Sequence, residues 1–230
     1  MSSLVVHAAL AGLLAAALLA DAFDRRSLGI AVLAVLVVDL DVFLAPVLGG
    51  VHRAAGHTLV WPLLVAVGLL VVARLDAPAV SPAADRAGLA ARLGARWRAV
   101  AARIVAVRTR RRLRVAWMTV AVVIFAGIGP DLVSNGANLF WPIHDQFYTL
   151  DGKIELSTTR GLVQTVVDLS PDPAGDPSTT ENKFYSSGVD PTRGEEPENV
   201  ERVFPIAWSG LEILLIVASI VVVTVRLLRN

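Results

Sequence analysis

Five apolar runs, each close to the length of a bilayer span, limit what this chain can fold into. They cover about residues 4–20, 28–49, 58–73, 115–134 and 206–225. A helix needs about 20 consecutive apolar residues to cross a membrane. Five such runs fit poorly into the soluble core of a 230-residue chain that is 55% hydrophobic. The sequence therefore predicts an all-α, polytopic membrane protein with about five transmembrane helices.

Arginine placement predicts the orientation of these helices. The arginines cluster after the first run, between the third and fourth runs, and at the C-terminus; they include Arg25, Arg26, RTRRRLR at 108–114, Arg226 and Arg229. In a five-span topology these places lie on one side, and basic loops mark the cytoplasmic side of a membrane. We therefore expect a plasma-membrane protein whose loop 50–57 and segment 143–205 lie outside.

Composition divides the chain into a membrane-embedded core of 1–142, an acidic segment of 143–205 and a last transmembrane helix in 206–230. The acidic segment carries twelve Asp or Glu and five Lys or Arg, which gives a net charge of −7. Its middle is rich in Pro, Asp, Ser and Gly, which is typical of loops and disordered segments. Residues 152–169, GKIELSTTRGLVQTVVDL, are compatible with short strands or with a helix.

Residues 85–114 predict a basic amphipathic helix on the cytoplasmic side of the core. Arginines surround a set of apolar residues at helical spacing, namely Leu93, Trp97, Val100, Ile104 and Val107. Such a helix lies on the inner leaflet, so we expect residues 92–114 to bind anionic lipids. Binding of nucleic acid or protein is less favoured, because an arginine cluster beside a span already has a topological explanation.

Six ionisable residues from four different runs lie in the outer half of the predicted bilayer. They are His7, Asp39, Asp41, His52, His57 and Asp131. Ionisable groups within spans are costly and usually mark function. The chain has no cysteine, and imidazole with carboxylate is a ligand set for zinc and other divalent ions. Because the arginines alone gave the orientation, this convergence independently predicts one shared metal site, with zinc as the first choice.

Spacing constrains how these residues meet. His52 and His57 are five apart, about 140° on one helix, so they converge only if His52 lies in the loop and His57 in the first helical turn. Asp39 and Asp41 face nearly opposite ways on a regular helix. Either one binds the metal while the other supports a ligand, or the helix is broken there. Pro46 and the glycines at 49–50 end the helix soon afterwards.

Four of the six site residues also have a local interpretation. His7 is compatible with an interfacial histidine, and either aspartate with a salt bridge to Arg53. Asp131 follows Pro130 and is compatible with a helix cap. Residues 1–23 are compatible with a signal peptide cleaved at LADA, which would remove His7. Two further ionisable residues are expected at the membrane interface, namely His144 and Glu212.

The same residues carry a family resemblance. The sequence resembles the membrane-bound metal-dependent hydrolases that include the LexA-binding inner-membrane protein. The resemblance lies in a pattern of an N-terminal His, Asp-x-Asp, His-Arg-x-x-x-His and a later Asp before Trp-Pro. The matching residues are His7, Asp39, Asp41, His52, Arg53, His57 and Asp131, the last within PDLVSNGANLFWP at 130–142. The resemblance covers pieces of residues 1–145. Ala54 and Gly56 replace a glycine and a threonine of the family, which is a mild departure. Gly127 replaces a histidine, and His144 is the unassigned histidine that could compensate.

The family is related to zinc-dependent phospholipase C, so the resemblance implies a metal-dependent phosphoester hydrolase with an outward-facing site. It implies Asp39 or Asp41 as metal ligand or general base, Arg53 as phosphate-binding residue, and a phospholipid or other membrane-proximal phosphoester as substrate. Gly127 favours an alternative, a catalytically degenerate protein with a structural metal or a partner-binding segment 143–205. A third hypothesis is a transporter with the two aspartates in a cation path, although the polar residues cluster on one side.

Overall fold

The computed structural model describes residues 3–75, 110–150, 152, 154–164 and 177–229. This part of the chain is mostly helical. The helices are α1 (Leu4–Leu18), α2 (Arg25–Val38), α3 (Ala45–Leu48), α4 (Val60–Leu75), α5 (Arg110–Ser134) and α6 (Gly210–Arg229). Two strands, β1 (Ile154–Ser157) and β2 (Gly161–Gln164), form an antiparallel hairpin in which Ile154 pairs with Gln164. The predicted amphipathic helix of 85–114 lies outside the described residues except for 110–114, which begin α5.

Three helical segments are long and apolar enough to cross a membrane. They are Arg25–Leu48, which runs from α2 through α3, together with α5 and α6. The apolar helices α1 and α4 are shorter. Each predicted apolar run is therefore helical, with ends shifted by a few residues; the last helix begins at Gly210 rather than near 206. The number of spans stays a prediction.

Helix α1 lies at the centre of the packed helices. Its alanine- and leucine-rich sequence favours a helix, and the Ser3 hydroxyl accepts a hydrogen bond from the Val6 amide at 3.2 Å to cap its first turn. It packs against α2, α6 and the middle of α5. The shared core contains small and branched apolar side chains, among them Ala11, Ala15, Leu19, Ala31, Val35, Met118, Val122 and Ala126.

Close approach of α6 to α1 depends on small residues. The Ser219 hydroxyl donates to the Ala9 carbonyl at 2.7 Å. A methyl group added at Gly12 would lie 3.0 Å from Ser219 Oγ and 3.1 Å from Val223 Cγ2. Apart from this seam, most of α6 is exposed apolar surface. A helix with one packed seam and an apolar exterior suits a lipid environment.

The backbone changes geometry where site residues occur. A capping box between Asp24 and Ser27 begins α2. At Val38 the helix tightens into a 3₁₀ segment, Asp39–Phe43, before α3 and the turn at Gly49, where φ is +52°. The helix therefore changes geometry at the aspartate pair, which was one of the two alternatives for these residues, and the expected helix end is present. Similarly, a π-helical segment, Val123–Ile128, precedes Asp131 in α5.

Part of segment 143–205 folds back onto the loops that follow α3 and α5. The Asp145 carboxylate accepts hydrogen bonds from Thr180 Oγ1 at 2.6 Å and from Asn138 Nδ2 at 2.7 Å. The Phe147 amide donates to the Ser178 carbonyl at 2.8 Å. These bonds hold residues 178–185 beside the loop 50–58. The hairpin shows that the open choice for 152–169 is resolved as strands where the structure describes that stretch.

Candidate metal centre

Asp41 is the organising acceptor of the centre. It is buried, and its Oδ2 accepts hydrogen bonds from the backbone amides of Arg53 and Gly56, each at 3.0 Å. The same oxygen lies 2.9 Å from Nδ1 of His57, while Oδ1 lies 3.0 Å from Nδ1 of His52. One carboxylate thus fixes the loop and both imidazoles. Such an acceptor sets which ring nitrogen of each histidine faces the site.

His7, Asp39 and Asp131 form a group that could hold a metal ion, because their ligand atoms all lie within 4.8 Å of one another. His7 Nδ1 is 3.0 Å from Asp39 Oδ2, and His7 Nε2 is 3.7 Å from Asp131 Oδ1. His57 adds a fourth donor, since its Nε2 lies 2.9 Å from Asp131 Oδ2 and 3.3 Å from Asp39 Oδ1. Two imidazoles and two carboxylates from separate elements therefore converge.

His57 Nε2 lies beside two carboxylates, those of Asp131 and Asp39. This nitrogen is buried and makes no well-aligned hydrogen bond with any described residue, despite its two carboxylate neighbours. Three carboxylates, of Asp39, Asp41 and Asp131, and one guanidinium, of Arg53, leave a net charge of −2 when the imidazoles are neutral. A divalent cation would offset that charge in a place where water is scarce. The donor set and the charge both fit such an ion.

The His57 imidazole shows how strongly these carboxylates favour a cation. Burial by itself would lower the pKa of His57. The nearby carboxylates of Asp41, Asp131 and Asp39 outweigh burial, so the pKa of His57 lies well above its usual value. A positive charge near Nε2 is therefore stabilised, whether a proton or a metal ion carries it.

Arg53 forms the cationic side of the centre. It is 2% exposed, and its Nη2 donates to Asp131 Oδ1 at 2.5 Å. Its backbone has a φ of +64°, a left-handed conformation that is costly for a residue with a side chain. The Asp41 carboxylate and the Asn138 amide, which donates to the Arg53 carbonyl at 2.9 Å, hold it there. Its Nε and Nη1 make no hydrogen bond with the described residues.

Gly56 is required by the close approach of two backbones. A methyl group added there would lie 1.9 Å from the Val38 carbonyl oxygen and 3.2 Å from Asp41 Oδ2. No side chain therefore fits at this position. We expect Gly56→Ala to destabilise the protein by about 1–3 kcal/mol through overpacking, measured by unfolding in detergent. Gly68→Ala, with nothing within 4 Å of the added methyl, is the control and should not be destabilised.

The sequence-predicted residues differ in what they contact. The structure brings His7, Asp39, Asp41, His52, His57 and Asp131 into one network of contacts. His52, however, contacts Asp41 rather than the four-donor group. Arg53 pairs with Asp131 and not with either member of the aspartate pair.

Two further residues considered in the sequence analysis, His144 and Glu212, lie away from the centre. His144 is exposed, with Nε2 3.1 Å from Gln146 Oε1, so it does not replace the imidazole missing at Gly127. Glu212, in the first turn of α6, accepts a hydrogen bond from the Trp208 amide at 2.6 Å. Gly127 lies beside Val38, whose Cγ2 would be in ordinary van der Waals contact, at 3.4 Å, with a methyl group added at Gly127.

Tyr185 belongs to the centre and was not predicted. Its ring lies 4.9 Å from Arg53 Cζ and packs edge-on against His52 at 6.1 Å. Its hydroxyl donates to the Asn135 carbonyl at 2.9 Å. Burial raises its pKa to about 12, although the Arg53 charge opposes the shift, so the phenol keeps its proton. The sequence signal that could have indicated Tyr185 is the presence of an aromatic residue in a polar, Pro- and Ser-rich segment.

No family model, no curated protein and no solved structure matches this chain.

Proposed function

We propose that this protein is a polytopic, membrane-bound, metal-dependent hydrolase that acts on a phosphoester, with zinc as its ion. The observation that carries the proposal is the convergence of two imidazoles and two carboxylates beside a buried arginine. The three membrane-length helices support a membrane location. The proposed topology has five spans in the plasma membrane, with the site facing outward and the phospholipid or another membrane-proximal phosphoester as substrate.

The proposed roles follow from what each side chain contacts. When bound, a divalent ion lowers the pKa of water and offsets negative charge on phosphoryl oxygens. His7, Asp39, His57 and Asp131 would hold it. Arg53, which lines a cavity beside the centre, would donate from its guanidinium to a phosphoryl oxygen.

Proton transfer is assigned to two residues that line a cavity of about 850 Å³ beside the candidate metal centre. His52 lines this cavity, and its Nδ1 lies 3.0 Å from Asp41 Oδ1, which leaves Nε2 to exchange a proton with the substrate. Asp39 is the most exposed of the four donors, with 19% of its side chain accessible, and is the second candidate base. The roles that the resemblance implies for Asp39 and Asp41 are thereby divided between a metal ligand, Asp39, and an orienting acceptor, Asp41.

A second candidate is a catalytically degenerate protein with a structural metal. Gly127, where the resembled family has a histidine, favours it. The two candidates share the metal and differ in turnover. The alternative predicts a bound ion without phosphoesterase activity in any variant.

The testing experiment compares single histidine variants. We would measure metal content of detergent-purified protein by elemental analysis for His57→Ala, His52→Ala and, as an exposed control, His144→Ala. His57→Ala should lose the ion. His52→Ala should retain it and lose phosphoesterase activity, and His144→Ala should match the unaltered protein. A folded, unaltered protein that binds no divalent ion even after incubation with zinc or manganese would overturn the proposal.

A further inference from the structure

The hairpin of β1 and β2 has one apolar face that the described residues leave uncovered. Side chains alternate between the two faces of a strand. Leu156 pairs with Leu162 across the hairpin, so both side chains lie on one face, together with Ile154. Leu156, Leu162 and Ile154 are 85%, 71% and 68% exposed. Glu155 and Val163 pair on the opposite face and are half-buried. The hairpin therefore exposes its apolar face more than its other face.

A hairpin of this kind needs a cover for its apolar face. An isolated two-stranded hairpin is at best marginally stable in water, and a third strand or a packed face is needed for independent stability. Among the described residues, β1 and β2 pair only with each other. A contiguous apolar surface rimmed by polar residues marks a site of protein or membrane contact. The apolar face therefore requires a partner that the described residues do not supply.

The chain enters the hairpin from the end of α5. The backbones of Ala137 and Tyr148 form a bridge, and two residues later the Leu150 amide donates to the Leu132 carbonyl at 2.8 Å. The chain therefore runs back along the end of α5 before β1 begins. Helix α5 is long and apolar enough to cross a membrane, and the proposed topology puts this end of it at the outer surface. The hairpin thus starts at the level of the membrane interface.

The hairpin is also a neutral stretch within an acidic segment. Residues 154–164 carry one acidic and one basic side chain, Glu155 and Arg160, and Arg160 Nη2 donates to Glu155 Oε1 at 2.6 Å. Segment 143–205 as a whole has a net charge of −7, the same sign as anionic lipids. Glu155 lies on the face opposite the three apolar side chains. Charge therefore favours the hairpin, and not the segment around it, as the part that meets lipid.

We propose that the hairpin β1–β2 contacts the outer leaflet of the membrane with Ile154, Leu156 and Leu162. This inference goes beyond the proposed function and rests on it only for the topology. The edges of a hairpin have unpaired backbone groups, which the hydrocarbon region does not tolerate. The hairpin therefore lies at the headgroup boundary and inserts its apolar side chains alone. This contact attaches the first part of the acidic segment to the membrane next to the end of α5.

The test uses the absence of cysteine from the chain, because one introduced cysteine then carries a nitroxide label at a single position. Leu156→Cys and Leu162→Cys label the apolar face, and Val163→Cys is the matched apolar control on the opposite face. The full chain is reconstituted in phosphatidylcholine vesicles. Paramagnetic resonance then compares collisions of each label with oxygen, which concentrates in lipid, and with a water-soluble nickel chelate. We expect a higher ratio of oxygen to nickel collisions at 156 and 162 than at 163.

A charged variant tests the cause of this contact. With the label at Ile154→Cys, the change Leu156→Glu/Leu162→Glu should shift the label from oxygen access to nickel access, because carboxylates on this face oppose insertion into lipid. The hairpin contributes no residue to the candidate metal centre. Metal content of the variant should therefore match that of the unaltered protein, and this measurement confirms that the rest of the chain is folded.

A label at Val217→Cys distinguishes the failure of this inference from that of the proposed membrane location. Val217 is 52% exposed on α6, so its label should lie in lipid. Preferential access of nickel at 217 would overturn both the membrane location and the hairpin proposal. Lipid contact at 217 with equal ratios at 156, 162 and 163 would overturn the hairpin proposal alone. A label at 156 that neither reagent reaches would indicate a protein partner on this face, and would likewise overturn it.

Discussion

Asp131→Ala is expected to destabilise the protein by about 3–5 kcal/mol, because it leaves a buried arginine without its carboxylate partner. Arg53 is 2% exposed and donates to Asp131 Oδ1 at 2.5 Å. The same change removes one metal ligand, so bound metal should be lost as well. Unfolding of the detergent-solubilised protein, followed by tryptophan fluorescence, measures the first effect, and elemental analysis measures the second.

The double variant Asp131→Leu/Arg53→Met separates these two effects. Removing both charges avoids an unpaired buried guanidinium, and such replacements of buried ion pairs are often neutral or stabilising. We expect this variant to recover most of the stability lost in Asp131→Ala and to remain without metal. If the double variant were as unstable as Asp131→Ala, the pairing of the two side chains would not be the cause. Retained metal in either variant would remove Asp131 from the ligand set.

The helices and the members of the centre were accessible from the sequence because both depend on strong local signals. Apolar runs of bilayer length leave a helix as the available structure. An ionisable residue within such a run is costly, so His7, Asp41 and Asp131 stood out against their neighbours. The arginine pattern then put these residues at similar depth. Each of these inferences uses only distance along the chain and the chemistry of the residue.

The division of roles was not accessible, because it depends on contacts between distant residues. Tyr185 reaches Arg53 only through the fold of a polar segment whose composition predicts a loop. The pair Arg53 and Asp131 is 78 residues apart. Likewise, the spacing of Asp39 and Asp41 left two alternatives open. A 3₁₀ segment turns Asp39 toward His7 and Asp41 toward the loop, so the helix is altered and the two carboxylates also have different roles.

Asp41 is the residue whose replacement tests that division most directly. Asp41 contacts the imidazoles of His52 and His57 and two backbone amides, at distances of 2.9–3.0 Å. It is not in the four-donor group. Asp41→Ala removes the acceptor of four buried or half-buried donors. Each unsatisfied buried donor costs about 1–3 kcal/mol, so we expect Asp41→Ala to leave little folded protein, as judged by size-exclusion chromatography in detergent.

Asp41→Asn should separate orientation from folding. Its side-chain oxygen can still accept from the amides of Arg53 and Gly56 and from His57 Nδ1, but without a negative charge, while its amide nitrogen faces Nδ1 of His52. Removing such a supporting carboxylate typically lowers metal affinity about 10–100-fold. We therefore expect a folded variant with metal affinity reduced by that factor in a competition titration with a chromophoric chelator. His144→Ala, at an exposed site, should retain full affinity.

If Asp41→Asn bound metal as the unaltered protein does, Asp41 would serve only the fold, and the orientation of His57 would have to come from its other carboxylate neighbours. If instead Asp41→Asn lost metal completely, as His57→Ala is expected to, Asp41 would have to be a ligand itself.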